Sequence, residues 1–437
     1  MKDERPIFGS EVCSCGKVHS SSLERLEVGS GAINTVCDVV RNYGAKRAFL
    51  LADKNTYAAA GEKVERLLTE GGIEVFSYVM MAETIEPDEY AVGLVMEHFD
   101  PRAQIFITAG SGVLNDISKL VSRVAKIPYV IVATAPSMDG YASESSSMVR
   151  DGLKVSIPTR CPSVVIGDTD VLAAAPLDML RSGLGDMLAK YVSIAEWRIS
   201  NLINGEYYCE RVAEYIRGAL KACTDNAEGL LLRDKKSVEA VFMGLVACGR
   251  AMEYAGVSRP ASGVEHYISH VLDMRGLEFG EPISSHGEQC AIGTLMAARI
   301  YEKIKKMTPD LNSARSFVEA FDKDAWFSEL RSLLGKGAET MIEAEARDGK
   351  YDLKKHEGRI RRISELWEKI VSIIEEEIPL SATVERLLLS LGIKTDLSDM
   401  GIDRGIIPRV LRATKDIRDK YVLSRLVWDL GLEDALY

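Results

Sequence analysis

Strand signals run through the first part of this chain and then stop. Between residues 48 and 166, short apolar runs alternate with amphipathic segments and glycine turns, the pattern of an α/β unit. Ala48-Phe49-Leu50-Leu51-Ala52, Val75-Phe76-Ser77-Tyr78, Gln104-Ile105-Phe106-Ile107-Thr108 and Tyr129-Val130-Ile131-Val132-Ala133 are the strand candidates. Such continuous apolar runs suit a parallel sheet covered on both faces. Residues 32–43 and 88–99 have helical period between them. Met148 to Ser156, with Asp151-Gly152 at its middle, predicts a hairpin, and Ser163 to Ile166 a last strand. Near Pro176 the chain changes character. Helical periodicity then dominates, as in Val238 to Tyr254 and Gly358 to Glu377, with Gly256, Pro260, Pro309, Pro379, Gly392 and Pro408 as punctuation. Two domains are predicted: an α/β domain with a parallel sheet over residues 1–175, and an all-helical domain over residues 176–437. Neither an internal repeat nor a low-complexity linker is visible.

Composition narrows the partners. A chain of 437 residues that is 46% hydrophobic and 27% charged reads as a globular protein with room for sizeable cores. A formal net charge of −11 argues against nucleic acid, whose phosphate backbone wants a basic surface. It does not forbid a small anionic substrate, since a cationic site can sit on an acidic protein. The charged start, Met1-Lys2-Asp3-Glu4-Arg5-Pro6, lacks the apolar core of a signal peptide. No apolar run approaches the ~18 residues that span a bilayer. Of eight cysteines, Cys37, Cys223, Cys248 and Cys290 lie in apolar segments, as reduced core thiols of a cytoplasmic protein do. Cys13-Ser14-Cys15 with His19 stands apart. It reads either as an ordered turn or as part of a structural metal site whose fourth ligand the sequence does not reveal.

Ala109-Gly110-Ser111-Gly112-Val113-Leu114-Asn115-Asp116 follows the third strand and opens a helix. In that setting glycines let backbone N–H groups approach a pyrophosphate, and the helix N-terminus adds favourable partial charge. The third glycine of a dinucleotide fingerprint is missing, with Asn115 in its place. Asp53, at the end of the first strong strand, is placed either to accept from an adenosine ribose, favouring NAD over NADP, or to cap a turn. Thr134-Ala135-Pro136-Ser137-Met138-Asp139-Gly140-Tyr141-Ala142-Ser143 is a long polar loop after the next strand. Ligands bind at that edge of open α/β sheets.

Three of the six histidines fall between residues 266 and 286. His266 and His270 are four apart, so on a helix they share a face; His286 opens a second helical segment. Upstream, Asp186 stands in Gly183-Leu184-Gly185-Asp186-Met187. One carboxylate and two or three imidazoles hold a catalytic divalent ion while leaving a position open. Histidines four apart also arise as capping or core residues.

Taken together, these motifs make the chain resemble the superfamily of glycerol dehydrogenase, iron-dependent alcohol dehydrogenases and dehydroquinate synthase. Within it the chain is most similar to the sn-glycerol-1-phosphate dehydrogenase family. The likeness covers most of residues 20–300 and the terminal segment from Lys420 to Leu432. It rests on Ser258-Arg259-Pro260-Ala261-Ser262-Gly263-Val264-Glu265-His266, Ser269-His270, His286-Gly287-Glu288-Gln289, Gly185-Asp186 and the Ala-Pro-Ser-x-Asp-Gly loop around Asp139. The chain departs from many relatives in reading Gly110-Ser111-Gly112 where they have three consecutive glycines. The Cys13/Cys15/His19 stretch and the long helical C-terminal part resemble the bacterial branch.

The resemblance implies an NAD(P)-binding α/β domain followed by a helical metal-binding domain. It implies Asp186, His266 and His286 as metal ligands, with Asp186, His270 and Asp139 contacting substrate. Gly112 to Asp116, Thr134 to Ser137 and Ser143 become NAD(P) contacts, with Gly110 in the turn and Asp53 near the adenosine end. The implied reaction is reversible reduction of dihydroxyacetone phosphate to sn-glycerol 1-phosphate, for glycerophospholipid or polyol phosphate metabolism. Zn²⁺ suits the ligand set best, and Ni²⁺ or Fe²⁺ fits the same ligand types. His270, Asp139 or a water between them would deliver the proton. Arg259, Ser262 and Lys190 are candidates for the substrate phosphate. A homo-oligomer, most simply a homodimer, is expected. A glycerol or polyol dehydrogenase is the nearest alternative. A dehydroquinate-synthase-like lyase would need more Lys and Arg than these segments hold; a non-catalytic metal-loaded protein on the same scaffold is a further alternative, since catalysis can decay before motifs do.

Overall fold

The computed structural model describes residues 12–281 and 283–436, so the charged Met1–Pro6 segment lies outside it. Among the described residues eight strands form: β1 (Arg25–Gly29), β2 (Arg47–Asp53), β3 (Glu74–Met80), β4 (Ile105–Gly110), β5 (Tyr129–Ala133), β6 (Ser145–Arg150), β7 (Leu153–Pro158) and β8 (Val164–Asp168). Six of them pair in parallel in the order β1-β8-β5-β4-β2-β3. Helices α1 (Val36–Asn42), α2 (Glu62–Glu70), α3 (Glu89–His98) and α4 (Gly112–Ala125) connect them.

The apolar runs are buried on both faces, as a helix-covered parallel sheet demands. Leu50, Ile107, Val130 and Ile166 pack in one cluster with Val36 and Val40 of α1 and Val64 and Leu68 of α2. The intervening Phe49, Leu51, Phe106 and Ile131 are equally buried on the other face. β2 leads outward to β3, and the chain then returns across β2 to β4, so strand order reverses between β2 and β4. Leu51 of β2 lies opposite Thr108 of β4 in register. The carboxyl ends of these two strands, Asp53 and Gly110, therefore flank the switch point where α/β folds bind ligands.

β6 and β7 form the expected antiparallel hairpin, Arg150 opposite Leu153. Asp151 and Gly152 both have positive φ, 53° and 75°, the backbone of the turn favoured between twisted strands. β1 had no sequence signal. It is a half-buried edge strand carrying Arg25 and Glu27, and pairs only with β8, so it shows neither a continuous apolar run nor a strong alternation.

Among the described residues, every regular element after Asp168 is helical. They include α5 (Leu177–Leu188), α6 (Lys190–Asn204), α7 (Glu210–Asp225), α8 (Lys235–Ala255), α9 (Val264–Phe279) and α10 (His286–Ile304). The helical period over residues 358–377 resolves into two helices, Leu353–Glu365 and Trp367–Glu377, meeting at Leu366.

Compactness divides the chain differently from secondary structure. One unit takes the residues up to Met187 together with Glu214–Val257; the other takes Leu188–Ala213 and everything from Ser258. The reason α8 joins the sheet unit is visible in its glycines and aromatics. A Cβ on Gly249 would stand 2.6 Å from the Ala142 carbonyl carbon, and one on Gly167 would stand 2.2 Å from the Phe242 ring. α8 thus lies against backbone, with Phe242 edge-on to Tyr141 at 5.3 Å.

Candidate active site

In the sheet unit the polar groups cluster at the carboxyl ends of β2, β4 and β5. α4 starts one residue after β4, at Gly112, and Ser111 at its N-cap makes no side-chain capping bond. The Ser111 Oγ instead meets the Ser137 Oγ at 2.6 Å. The first N–H groups of α4 are therefore left without the usual cap at the place where a pyrophosphate would lie. Thr134 donates its backbone N–H to the Gly110 carbonyl at 3.0 Å and fixes the start of the polar loop. This turn fits a dinucleotide.

Several of the sequence-derived nucleotide residues have internal partners. Asn115 is buried; its Nδ2 donates to the Gly140 carbonyl at 3.0 Å and its Oδ1 accepts from the Tyr129 hydroxyl at 2.9 Å. Asp116 pairs with the buried Lys119 ammonium at 2.9 Å. That lysine also donates to the Ser143 Oγ at 3.1 Å and to the Gly140 carbonyl at 3.2 Å. Asn115, Asp116 and Ser143 thus tie residues 140–145 to α4. Asp53 caps the short helix Lys54–Thr56, its Oδ1 accepting from the Asn55 and Thr56 N–H groups at 2.8 and 2.9 Å. Val113 and Leu114 belong to the first turn of α4.

Asp186 is fully buried in the last turn of α5, and its Oδ2 accepts the Asp139 backbone N–H at 2.9 Å. Gly183 makes that contact reachable. A Cβ there would sit 1.8 Å from the Pro136 carbonyl oxygen, so any side chain would force α5 off the loop. On the same helix, Ser182 donates to the Ser137 carbonyl at 2.9 Å.

The helical unit holds the imidazoles. His266, in the first turn of α9, and His286, the first residue of α10, have ring centroids 5.1 Å apart. Each has its Nδ1 engaged. The Glu265 carboxylate lies 2.8 Å from the His266 Nδ1, and the Ser269 Oγ lies 2.9 Å from the His286 Nδ1. Because the Ser269 hydroxyl donates to the Gln289 Oε1 at 2.6 Å, it accepts from the His286 Nδ1–H. Both rings therefore present Nε2 as the nitrogen with a lone pair, the arrangement of metal-bound histidines. The Cys290 Sγ lies 3.7 Å from the His286 Nε2, and ligand atoms of His266, His286 and Cys290 fall within 4.8 Å of one another. This donor set fits a borderline divalent ion such as Zn²⁺. His270 is half-buried, its ring 6.4 Å from that of His286 and nearly parallel to it.

Residues that sequence reasoning missed surround these two. Glu265 aims His266. Behind it, Glu196 is completely buried and accepts the Val264 and Leu423 N–H groups. Burial, followed by the charge of Glu265, pushes the Glu196 carboxyl up to about 8. Cys290 had been read as a core thiol, yet the i,i+4 spacing from His286 already placed both on one helix face.

The phosphate candidates are differently engaged. Arg259 is 1% exposed, with its guanidinium bonded to Glu206, to the Ser200 Oγ and to the Tyr421 carbonyl. Lys190 is fully buried and donates to the Ala261 carbonyl at 2.8 Å. Lys420 reaches both the Ser262 carbonyl and its Oγ at 2.9 Å. Burial, with Arg259 and Arg418 nearby, pushes that ammonium down to about 7.

The iron-containing alcohol dehydrogenase family model matches residues 27–176. The fold is that of a solved glycerol dehydrogenase from Schizosaccharomyces pombe, which superposes with a TM-score of 0.61 at 17% identity, covering 100% of this chain and 92% of that one. Two curated relatives carry the name glycerol-1-phosphate dehydrogenase [NAD(P)+]. That of Halalkalibacterium halodurans is 28% identical over 94% of both chains. That of Methanosarcina mazei is 34% identical over 62% of this chain and 74% of its own. The chain belongs to the glycerol-1-phosphate dehydrogenase family. Among the described residues, no helix is long and apolar enough to cross a membrane.

Proposed function

We propose that this protein reduces dihydroxyacetone phosphate reversibly to sn-glycerol 1-phosphate, using NADH or NADPH and one divalent metal ion. The observation that carries the reading is the pair of imidazoles, His266 and His286, each tethered through Nδ1 so that Nε2 is offered to a metal. Asp186 is the third ligand in this reading, supported by its place in the Gly185-Asp186 motif. A divalent ion held there supplies a Lewis acid for the substrate's carbonyl oxygen, with Zn²⁺ favoured over Ni²⁺ and Fe²⁺.

The chain's own residues do the rest. The uncapped start of α4, from Gly112 to Leu114, receives the dinucleotide pyrophosphate, while Thr134 and Ser137 line its path. Asn115, Asp116 and Ser143 hold the loop in place through Lys119. Asp53, whose Oδ1 is spent on its cap, has its second oxygen for the ribose, which favours NAD. Asp186 holds the loop by accepting the Asp139 N–H, and the Asp139 carboxylate is assigned to the substrate in this reading. His270, with Asp139, holds the proton that the developing alkoxide takes up. Arg259 leaves the substrate set, because its guanidinium is committed to Glu206 in the core. Association of identical chains and a cytoplasmic location belong to the same reading.

The test is oxidation of NADH by metal-reconstituted protein supplied with dihydroxyacetone phosphate, followed by chiral assignment of the product. Formation of sn-glycerol 1-phosphate is expected. No oxidation with that substrate, but reduction of NAD⁺ with glycerol, would overturn it in favour of a polyol dehydrogenase.

A further inference from the structure

A second histidine–cysteine cluster lies in the sheet unit and takes no part in this chemistry. Val12 and Val18 form an antiparallel bridge, closing a tight turn. Inside it the Cys13 N–H donates to the Lys17 carbonyl and the Gly16 N–H to the Cys13 carbonyl, both at 2.8 Å. Gly16 has φ of 85°, which glycine tolerates at no steric cost. The turn sets Cys13, Cys15 and His19 side by side, with ligand atoms within 4.8 Å of one another.

The histidine is aimed. His19 is 2% exposed, and its Nδ1 lies 2.8 Å from the Tyr254 carbonyl in the last turn of α8. That acceptor fixes the proton on Nδ1 and turns the basic Nε2 toward the sulfurs, as a carbonyl behind a metal-bound histidine does. The Cys15 Sγ is 3.4 Å from the His19 Nε2. A tetrahedral Zn²⁺ with Zn–S about 2.3 Å and Zn–N about 2.0 Å would separate those atoms by ~3.5 Å. Two thiols and an imidazole turned inward at that spacing are a soft donor set with the right reach.

We propose that the Cys13–His19 turn is a structural zinc site, distinct from the one on α9 and α10, with the Cys13 Sγ, Cys15 Sγ and His19 Nε2 as ligands. Its role is to hold the chain's N-terminal turn onto the C-terminal end of α8, where Lys17 also caps the Ala255 carbonyl at 2.8 Å. The ion would take the place of the hydrophobic contacts that so short a turn cannot make, and two thiolates released as protons leave would bind it.

Metal analysis and Co²⁺ substitution test this on the full-length protein. His286→Ala, which dismantles the other site, is expected to retain one zinc per chain. Replacing that zinc by Co²⁺ should give an intense thiolate-to-cobalt charge-transfer band with the visible bands of tetrahedral cobalt. Cys15→Ser in the same background should lose the zinc and the band together. In zinc-loaded wild type, thiol titration should show two fewer reactive cysteines than after chelation. Cys15→Ser protein with undiminished zinc and an unchanged cobalt spectrum would overturn the proposal. So would wild type whose folded, zinc-loaded form exposes as many thiols as the chelated one, a comparison that needs no variant to fold.

Discussion

The two units position their functional groups by opposite means. In the sheet unit the work is done by absent side chains. Gly183 lets α5 touch the Pro136 carbonyl, and Gly249 lets α8 touch Ala142. In the helical unit it is done by buried polar groups. Glu265 and Ser269 each hold one imidazole by its Nδ1, and Glu196 backs the same helix start through the Val264 N–H. Close backbone contact tolerates almost no change, because a displaced helix moves every residue on it. A hydrogen-bonded support degrades in steps, since a weaker partner can still hold the ring. Substitutions in the two units should therefore fail differently.

Removing a ligand itself sets the upper limit. His286→Ala should abolish metal retention at the α9–α10 site and cut kcat/KM for dihydroxyacetone phosphate by about a thousandfold or more, several kcal/mol of transition-state stabilisation. Far-ultraviolet circular dichroism should stay native. Near-normal turnover in this variant would remove the metal from the mechanism.

Gly183→Ala is the sharpest test of the sheet unit. The added methyl would overlap a backbone oxygen that has no rotamer to escape into. We expect stability to fall by about 1–3 kcal/mol, the range for overpacking, and activity by roughly a hundredfold as Asp186 shifts from the loop. Thermal melting and steady-state kinetics read the two losses separately. An active, stable Gly183→Ala protein would show that α5 is not held by that contact.

Glu265→Gln should be milder. The amide still accepts from the His266 Nδ1–H but loses the carboxylate's charge, and weakening a group that holds a ligating imidazole in this way costs about 10–100-fold in metal affinity. Titration with a competing chelator measures it. A loss as abrupt as that of Gly183→Ala would erase the contrast between the units.

Legibility in the sequence followed the same divide. The strands β2, β4 and β5 were readable because each is an uninterrupted apolar run, and the parallel sheet follows from that. β1 was not, since an edge strand with Arg25 and Glu27 carries too little pattern. His266, His270 and His286 stood out by residue type and spacing. Their supports did not, because Glu265 is an ordinary acid until the start of α9 turns it onto its neighbour His266, and Ser269 is an ordinary serine until α10 brings the His286 ring to it. Arg259 shows the reverse case. Its type suggested a ligand contact, whereas the carboxylate of Glu206 holds its guanidinium in the core. The packing of α8 with the sheet unit was invisible for a related reason: a helical pattern says which face is buried, but not against what.

A further effect, spread over several pH units, concerns charge held in the helical unit. The Lys420 ammonium, with Arg259 and Arg418 beside it, is pushed from its ordinary 10.5 down to about 7. The folded protein therefore sheds that proton at a lower pH than the unfolded chain does. Between about pH 7 and 10.5 the unfolded state binds one more proton, so this group makes stability rise with pH. The contribution is complete above 10.5 and lost as pH falls through 7. Lys420→Met removes the group, and the difference in unfolding free energy between wild type and variant should change by at most about 1.4 kcal/mol per pH unit across that window. Denaturant titrations at pH 7, 8 and 9 measure it as a difference, in which other titrating groups cancel. A flat difference would mean that the hydrogen bonds to Ser262 offset the burial, and that this lysine stays charged at the start of α9. The helical unit would then carry a buried cation at the start of α9 throughout this pH range.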